Sequence, residues 1–457
     1  MAEKTVTMEK TLQKLLEEKK YLSVRDVLVT MNAADVAYVL DKTEPEVTPR
    51  LFRLLPKDLA AASFAEMENE SRETLIRSFS DAELRAVMNE MFVDDAADLV
   101  EDMPASVVQR LLAAADPDMR KEINTLLRYP EQSAGAMMTT EYVSLRPDMT
   151  VGEAFERIRS SAVDKETIYT CYVTQEHKLL GTVSVKDLLL AKSDTATVES
   201  LMETHVITVD TRTDQEQVAH MLSRYNFLAL PVVDSDERMV GIVTFDDAMD
   251  VLEEETTEDM EIMGGVTPME KTYFRSNPWD LYKHRIPWLL LLMVSATFTG
   301  MIITGFESAL AAQVALTAFI PMLMDTGGNS GSQACVSIIR ALSLGELEFR
   351  DIATVIWKEV RTAAMCGLTL AAACFAKIML IDRLLLGNAD VTVLVAAVVC
   401  VTMALTVIVA KFVGCSLPML AKKIGFDPAV MASPLITTIV DALSLLVYFG
   451  IATALLF

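Results

Sequence analysis

The stretch SPLITTIVDALSLLVYFG, from Ser433 to Gly450, is apolar enough to begin a membrane-spanning helix yet holds a carboxylate, Asp441. An acid at the centre of such a helix costs roughly 2.5–3.5 kcal/mol even on the lenient insertion scale, so by default it marks an ion or proton path. If the helix begins at Ser433, Asp441 lies about 12 Å along it. An ion pair with Lys411, on the preceding apolar run, is the competing reading of Asp441.

Working outward, apolar runs near residues 286–304, 314–339, 362–381, 391–418 and 433–456 give five expected spans, each long enough to cross a bilayer. Lys283, Arg285, Arg340, Arg350, Lys358, Arg361, Lys422 and Lys423 flank them on one side, while the opposite loops, GFESALAAQ and DRLLLGNAD, offer only Arg383. The positive-inside rule then places the N-terminal half in the cytosol and the C-terminus outside, with Asp441 nearer the cytosolic end. The second run contains DTGGNSGSQ, Asp325 to Gln333. Its glycines permit either close helix approach or an unwound turn beside an aqueous cavity. Asp325 and Asn329, four apart, share a face.

Charge separates this apolar half from the rest. From His284 onward there are 10 basic and 10 acidic residues, leaving 30 basic and 54 acidic before it, so the net charge of −24 lies in the first 283 residues. A soluble acidic half is therefore joined to a membrane half, a balance that argues against a nucleic-acid partner. The opening MAEKTVTMEK has no apolar core and no cleavage signal. Five of the six cysteines (Cys335, Cys366, Cys374, Cys400 and Cys415) fall in the apolar half without a CxxC, and read as small packing residues. The four histidines are scattered, which gives a zinc site little support. With neither a GxxxxGK[ST] loop nor a recognisable nucleophile and base, an enzyme is not expected.

Residues 1–133 read as an acidic helical domain with a weak echo, DVAYVL from Asp35, DLAAASF from Asp58 and DAADLV from Asp95, which suggests stacked helix pairs forming a small superhelix. Asp94, Asp95 and Asp98 put at least two carboxylates on one helical face. Alone this is a solvated acidic face; against another acidic domain it would repel unless divalent cations bridged it.

A clear duplication follows. MTTEYVSL from Met138 matches METHVITV from Met202, and LGTVSVKDLL from Leu180 matches VGIVTFDDAM from Val240. Each copy reads strand, helix, strand, turn, strand, helix, so two small α/β units would pair across a pseudo-twofold. These residues resemble tandem CBS domains, at 136–195 and 196–255. The motif carrying the resemblance is Gly181, Ser184, Asp187 and its counterpart Gly241, Thr244, Asp247. In CBS pairs that hold an adenine nucleotide, the hydroxyl and the Asp approach phosphate and ribose; the resemblance permits ATP at Ser184, Asp187, Thr244 and Asp247. Structurally, the same residues would be a hairpin glycine and a helix N-terminal acid.

FDDAMDVLEEETTEDMEIMGG, Phe245 to Gly265, leaves the module with Asp246, Asp247, Asp250, Glu253, Glu254, Glu255, Glu258 and Asp259. Like charges at i+3 and i+4 destabilise a helix, and oxygen-ligated Mg²⁺ would relieve the repulsion. A disordered acidic linker is the alternative. The stretch PMEKTYFRSNPWDLYKHR, with Trp279, Tyr282, Lys283 and Arg285, suits a helix at the cytosolic membrane surface.

The fold expected is multidomain: a superhelical N domain, tandem α/β CBS domains, a connecting helix over 256–285, and an all-α membrane domain of five spans over 286–457. This order, with GGNSGSQ in the second span and PLITTIVD in the fifth, resembles the MgtE family of Mg²⁺ channels over essentially the full chain. The resemblance implies a homodimer in a bacterial inner membrane, with an axial pore lined by the second and fifth spans. It also implies that Asp441 is the essential pore carboxylate, with Gly327, Gly328 and Asn329 at signature positions; Asp325 and Thr437 complete the expected pore set. Sensing acids that close the pore at high cytosolic Mg²⁺ are implied at Asp95, Asp247, Glu255, Glu258, Asp259 and Asp427, with Asp98 and Asp250 as neighbours able to take the ligand role. The rival functions are a secondary exchanger of a divalent cation and a membrane-anchored nucleotide sensor.

Overall fold

The structure is a computed structural model. It describes residues 20–162, 165–269, 276–388 and 390–456, together with residues 12, 14, 15, 18 and 273. The chain divides into two units, residues 1–252 and 253–457.

The first unit opens with short amphipathic helices: α1 (Tyr21–Leu28), α2 (Ala33–Asp41), α3 (Thr48–Phe52), α4 (Lys57–Ala65), α5 (Asn69–Ser78), α6 (Asp81–Met88), α7 (Val93–Asp102), α8 (Ala105–Ala114) and α9 (Pro117–Leu126). Their starts are written locally. Ser80 and Glu83 form a capping box before α6, and Pro117 occupies the first position of α9, where its missing N–H is harmless. Helices α2, α4, α6 and α8 stack in succession, and α7 packs on α8 and α9. Leu40, Phe64, Leu84 and Leu111 are buried along this stack, as a superhelix requires. The echoes fall in α2, α4 and α7, so the third leaves the stack of the first two.

The duplicated module consists of β1 (Ser144–Leu145), α10 (Val151–Ser161), β2 (Thr170–Gln175), β3 (Lys178–Ser184) and α11 (Val185–Leu189), then β4 (Val209–Asp210), α12 (Gln215–Tyr225), β5 (Ala229–Val233) and β6 (Met239–Thr244). Both sheets have the same order, with β1 parallel to β2 and β4 parallel to β5, while the β2–β3 and β5–β6 pairs are antiparallel. Even the register shift recurs, between Val173 and Thr174 and between Val232 and Val233. The copies are laced by two equivalent bridges, Thr139 to Ile242 and Thr182 to Glu203, which is the expected pseudo-twofold.

Gly181 is not a hairpin glycine: the β2–β3 turn is made by Glu176 and His177, both with positive φ, and Gly181 lies inside β3. A Cβ there would stand 2.7 Å from the Glu203 carbonyl oxygen, so glycine is needed where the other copy's backbone passes.

Helix α13 (Phe245–Met263) continues from β6. The second unit then holds α14 (Pro278–Gly305), α15 (Glu307–Ala312), α16 (Ile320–Ser343), α17 (Ile352–Lys377), α18 (Val393–Lys423) and α19 (Ser433–Leu456). The expected surface helix and first span form a single helix, α14, which carries Pro287 inside it. The third span starts earlier than its apolar run and ends in π-helical geometry over Ile378–Leu385. Among the described residues four helices are long and apolar enough to cross a membrane. Helix α16, over the second expected span, has 24 residues but carries DTGGNSGSQ, which lowers its hydropathy. That stretch stays helical throughout; the alternative of an unwound turn is not what forms. Helices α16, α18 and α19 pack mutually around Leu323, Met403, Leu445, Tyr448 and Phe449; α17 lies on α18, and α14 touches α19 with none of its own residues buried.

Candidate cation sites

Glycines bring α16 against its neighbours in the membrane unit. A Cβ on Gly327 would lie 2.8 Å from both Ser444 Oγ and Thr406 Cγ2, and one on Gly328 would lie 3.1 Å from Thr437 Cγ2. Gly327 and Gly328 are therefore buried packing positions. Thr437 Oγ1 donates to the Pro434 carbonyl at 3.0 Å, while its methyl group meets Gly328. The other side of α16 is different. Asp325, Asn329 and Gln333, each one turn from the next, are exposed, and Asn329 Nδ2 donates to Asp325 Oδ1 at 3.0 Å. Asp325 is within electrostatic reach of the half-buried Asp441. Lys411 is not the counter-ion of Asp441: its Nζ lies 3.7 Å from Glu359 Oε2 on α17. A row of one acid and two amides on a bilayer helix cannot face hydrocarbon, so it calls for water or another polar surface.

The first unit holds a second group of acids. Carboxylate oxygens of Asp94, Glu141 and Glu166 lie within 4.8 Å of one another. Asp94, at the start of α7, is 8% exposed, and its Oδ1 and Glu166 Oε2 have no hydrogen-bond partner. Glu141 Oε2 accepts from the Val93 N–H at 3.2 Å, and the Glu166 N–H donates to the Glu141 carbonyl at 3.0 Å, which fixes the triad to the backbone. Asp247, hydrogen-bonded by the Thr244 hydroxyl, acts electrostatically on Asp94, Asp95 and Glu166. Burial first, and then the Asp247 charge, push Asp94 well above the carboxylate range, Asp95 up to about 6 and Glu166 up to about 8. Close carboxylates that repel each other, with Asp94 Oδ1 and Glu166 Oε2 lacking donors, fit a hard divalent cation.

Of the acids expected in this unit, Asp95 and Asp247 lie at the group. Asp98 and Asp250 are exposed at its edge, both within electrostatic reach of Asp247. In the sequence Asp94 stands out only as part of an acidic helical face, and nothing singles out Glu141 and Glu166 as members of a cation group. Glu141 did have a visible signal, since it sits in the duplicated MTTEYVSL; Glu166 stood alone.

In the second unit, the acids at the end of α13 meet the loop before α19. Burial raises the Glu258 pKa, followed by the Glu255, Asp427 and Asp259 charges; burial and then Asp427 raise that of Asp259, which accepts from Ser343 Oγ at 3.4 Å. Asp427 Oδ1 accepts the Ala429 N–H at 2.7 Å. Glu255, Glu258, Asp259 and Asp427, far apart in the chain, thus face one another. The CBS motif residues have local partners: Ser184 caps α11 by accepting the Asp187 N–H at 3.0 Å and donates to Asp187 Oδ2 at 2.5 Å.

Several apolar bilayer-length helices with an acid-bearing polar face, together with a helical acidic domain and a CBS pair, define a multi-pass membrane transport protein with appended regulatory domains. The profile described as a divalent cation transporter matches residues 320–451, that of the MgtE intracellular N domain residues 31–132, and that of the CBS domain residues 134–194 and 198–254. Over 452 residues the chain is 37% identical to the magnesium transporter MgtE of Thermus thermophilus, covering 98% of both chains. It is 35% identical to the Bacillus subtilis magnesium transporter MgtE over 441 residues, covering 96% of this chain and 95% of that one. A solved cytosolic domain of the Mg²⁺ channel MgtE in complex with ATP is 38% identical, with a TM-score of 0.50, covering 53% of this chain and 99% of that one. The soluble part of a magnesium transporter is 30% identical, with a TM-score of 0.51, covering 55% and 99%. The chain belongs to the MgtE family.

Proposed function

We propose that this protein carries Mg²⁺ into the cell down the membrane potential, as a homodimer whose conduit is lined by α16 and α19. The observation that carries this reading is the exposed face of Asp325, Asn329 and Gln333 beside Asp441 on helices packed for a bilayer. A second copy facing that row would enclose it, and a twofold axis would double each acid. Mg²⁺ sheds water reluctantly, so Asp441 holds it through its waters, with Asp325 and Asn329 along the wall. An inside-negative potential of 100 mV contributes about 2.3 kcal/mol per charge, roughly 4.6 for a divalent ion, so ATP hydrolysis is not required. The N-terminus and the acidic domains (1–133, 136–195 and 196–255) lie in the cytosol, and the C-terminus outside.

Regulation follows from the other acids. Mg²⁺ held by Asp94, Glu141 and Glu166 with Asp247 nearby, and by Glu255, Glu258, Asp259 and Asp427, favours the closed arrangement at high cytosolic Mg²⁺; Asp95, Asp98 and Asp250 add charge around these ligands. ATP binds at the CBS pair near Ser184, Asp187 and Thr244, as the ATP complex of the related cytosolic domain suggests. The test is Mg²⁺ uptake into vesicles by the natural chain, Asp441→Ala and a chain lacking residues 1–133. The second is expected to transport nothing and the third to transport without restraint at high internal Mg²⁺. Equal, equally restrained uptake by all three overturns the reading.

A further inference from the structure

Lys411 lies in the middle of α18 and is 6% exposed. Burying a lysine so deep in a bilayer helix is costly, and Glu359 at 3.7 Å together with the polar side chains of an adjoining cleft offsets that cost. Lys411 also lines a cleft of about 520 Å³, whose other lining residues include the polar row Asp325, Asn329 and Gln333 on α16. Thr369 of α17 also lines the cleft.

We propose that Lys411 is a fixed counter-charge which weakens cation binding along the polar face of α16, with Glu359 setting how much of that charge the cleft feels. Asp325 and Asp441 act on each other, and both would hold a passing divalent cation. Conduction needs binding strong enough to admit the ion and weak enough to release it. Two acids per chain tilt that balance toward retention, and an ammonium group on the same cleft tilts it back. The inference rests on the reading of this face as the ion path.

The test is the Mg²⁺ dependence of uptake in vesicles, each variant normalised to folded protein by size exclusion. Lys411→Gln is expected to lower the half-saturating Mg²⁺ concentration and the maximal rate, each by at least about threefold. Glu359→Gln, which exposes the lysine charge, is expected to raise the half-saturating concentration. Lys411→Arg should return it toward the natural value. A simple brace would make Lys411→Gln and Glu359→Gln lose folded protein alike and shift affinity together or not at all; that result overturns the inference. If Glu359→Gln does not fold, Lys411→Met is compared with Lys411→Arg, and equal affinities in that pair overturn it as well. Asp441→Asn separates the two levels. Natural uptake by Asp441→Asn removes the ion path itself, whereas a dead Asp441→Asn beside parallel shifts at positions 411 and 359 removes only the role of Lys411.

Discussion

The first unit and the membrane unit both gather carboxylates, but one closes over them and the other leaves them open. Asp94, Glu141 and Glu166 converge within one chain, the first buried and the other two half-buried, and Asp94 Oδ1 and Glu166 Oε2 lack donors. Asp325, Asn329 and Gln333 form a row that the same chain leaves uncovered. Under the proposed function the difference separates two tasks. A closed acidic pocket gains stability when a cation enters, so it can report concentration; an open polar row in a bilayer needs a second surface and water, so it can pass ions.

The largest expected effect sets the two regions against each other. Asp441→Asn should cut Mg²⁺ uptake at least about tenfold at every internal Mg²⁺ level. Asp94→Asn should leave uptake at low internal Mg²⁺ intact and abolish its restraint at high Mg²⁺. If the two variants behave alike in a flux assay, the division of labour fails.

A smaller effect is in stability. Asp95 and Glu166 are raised in the folded protein, to about 6 and about 8, above their ordinary values. Their stabilising, protonated contribution is complete below about pH 4 and is lost as pH rises through those folded values. Without divalent cations, Tm should therefore fall between pH 5 and pH 8.5, flanking those folded values. Mg²⁺ should restore it most at the alkaline end, where it does not compete with protons. Asp94→Asn and Glu166→Gln should raise Tm in chelator and shrink the Mg²⁺ response. A Tm that is flat with pH in chelator would mean that the cluster is solvated.

The smallest effect tests packing alone. A Cβ on Gly414 would collide with the Gly331 backbone. Gly414→Ala should cost about 1–3 kcal/mol in the membrane unit and leave the Mg²⁺ response of the first unit unchanged. Domain-resolved hydrogen exchange would show whether the loss stays local.

Much of this arrangement was legible in the residues. The helical echo, the duplicated α/β copies and the charge division each depend on local pattern, and local pattern is what a sequence displays. Asp441 was conspicuous because an acid in an apolar run has few explanations. Glu141 and Glu166 were not, since their convergence on Asp94 depends on two loops meeting the start of α7, a contact of long sequence separation. The glycines of DTGGNSGSQ allowed two outcomes, and helix packing against Thr406, Thr437 and Ser444 decided for the straight helix. The partner of Lys411, Glu359, could not be read from the sequence for the same reason: which helix face meets which is set by the packing of α17 on α18.

The most direct measurement is the water accessibility of the α16 face. In a transport-competent background free of native cysteines, Asn329→Cys should react with a membrane-impermeant thiol reagent, and Mg²⁺ should slow the reaction. Leu368→Cys on α17, where the native side chain is 74% exposed and the apolar surroundings suit lipid, should not react. An unreactive Asn329→Cys, or a rate indifferent to Mg²⁺, would contradict a hydrated cation path along that face.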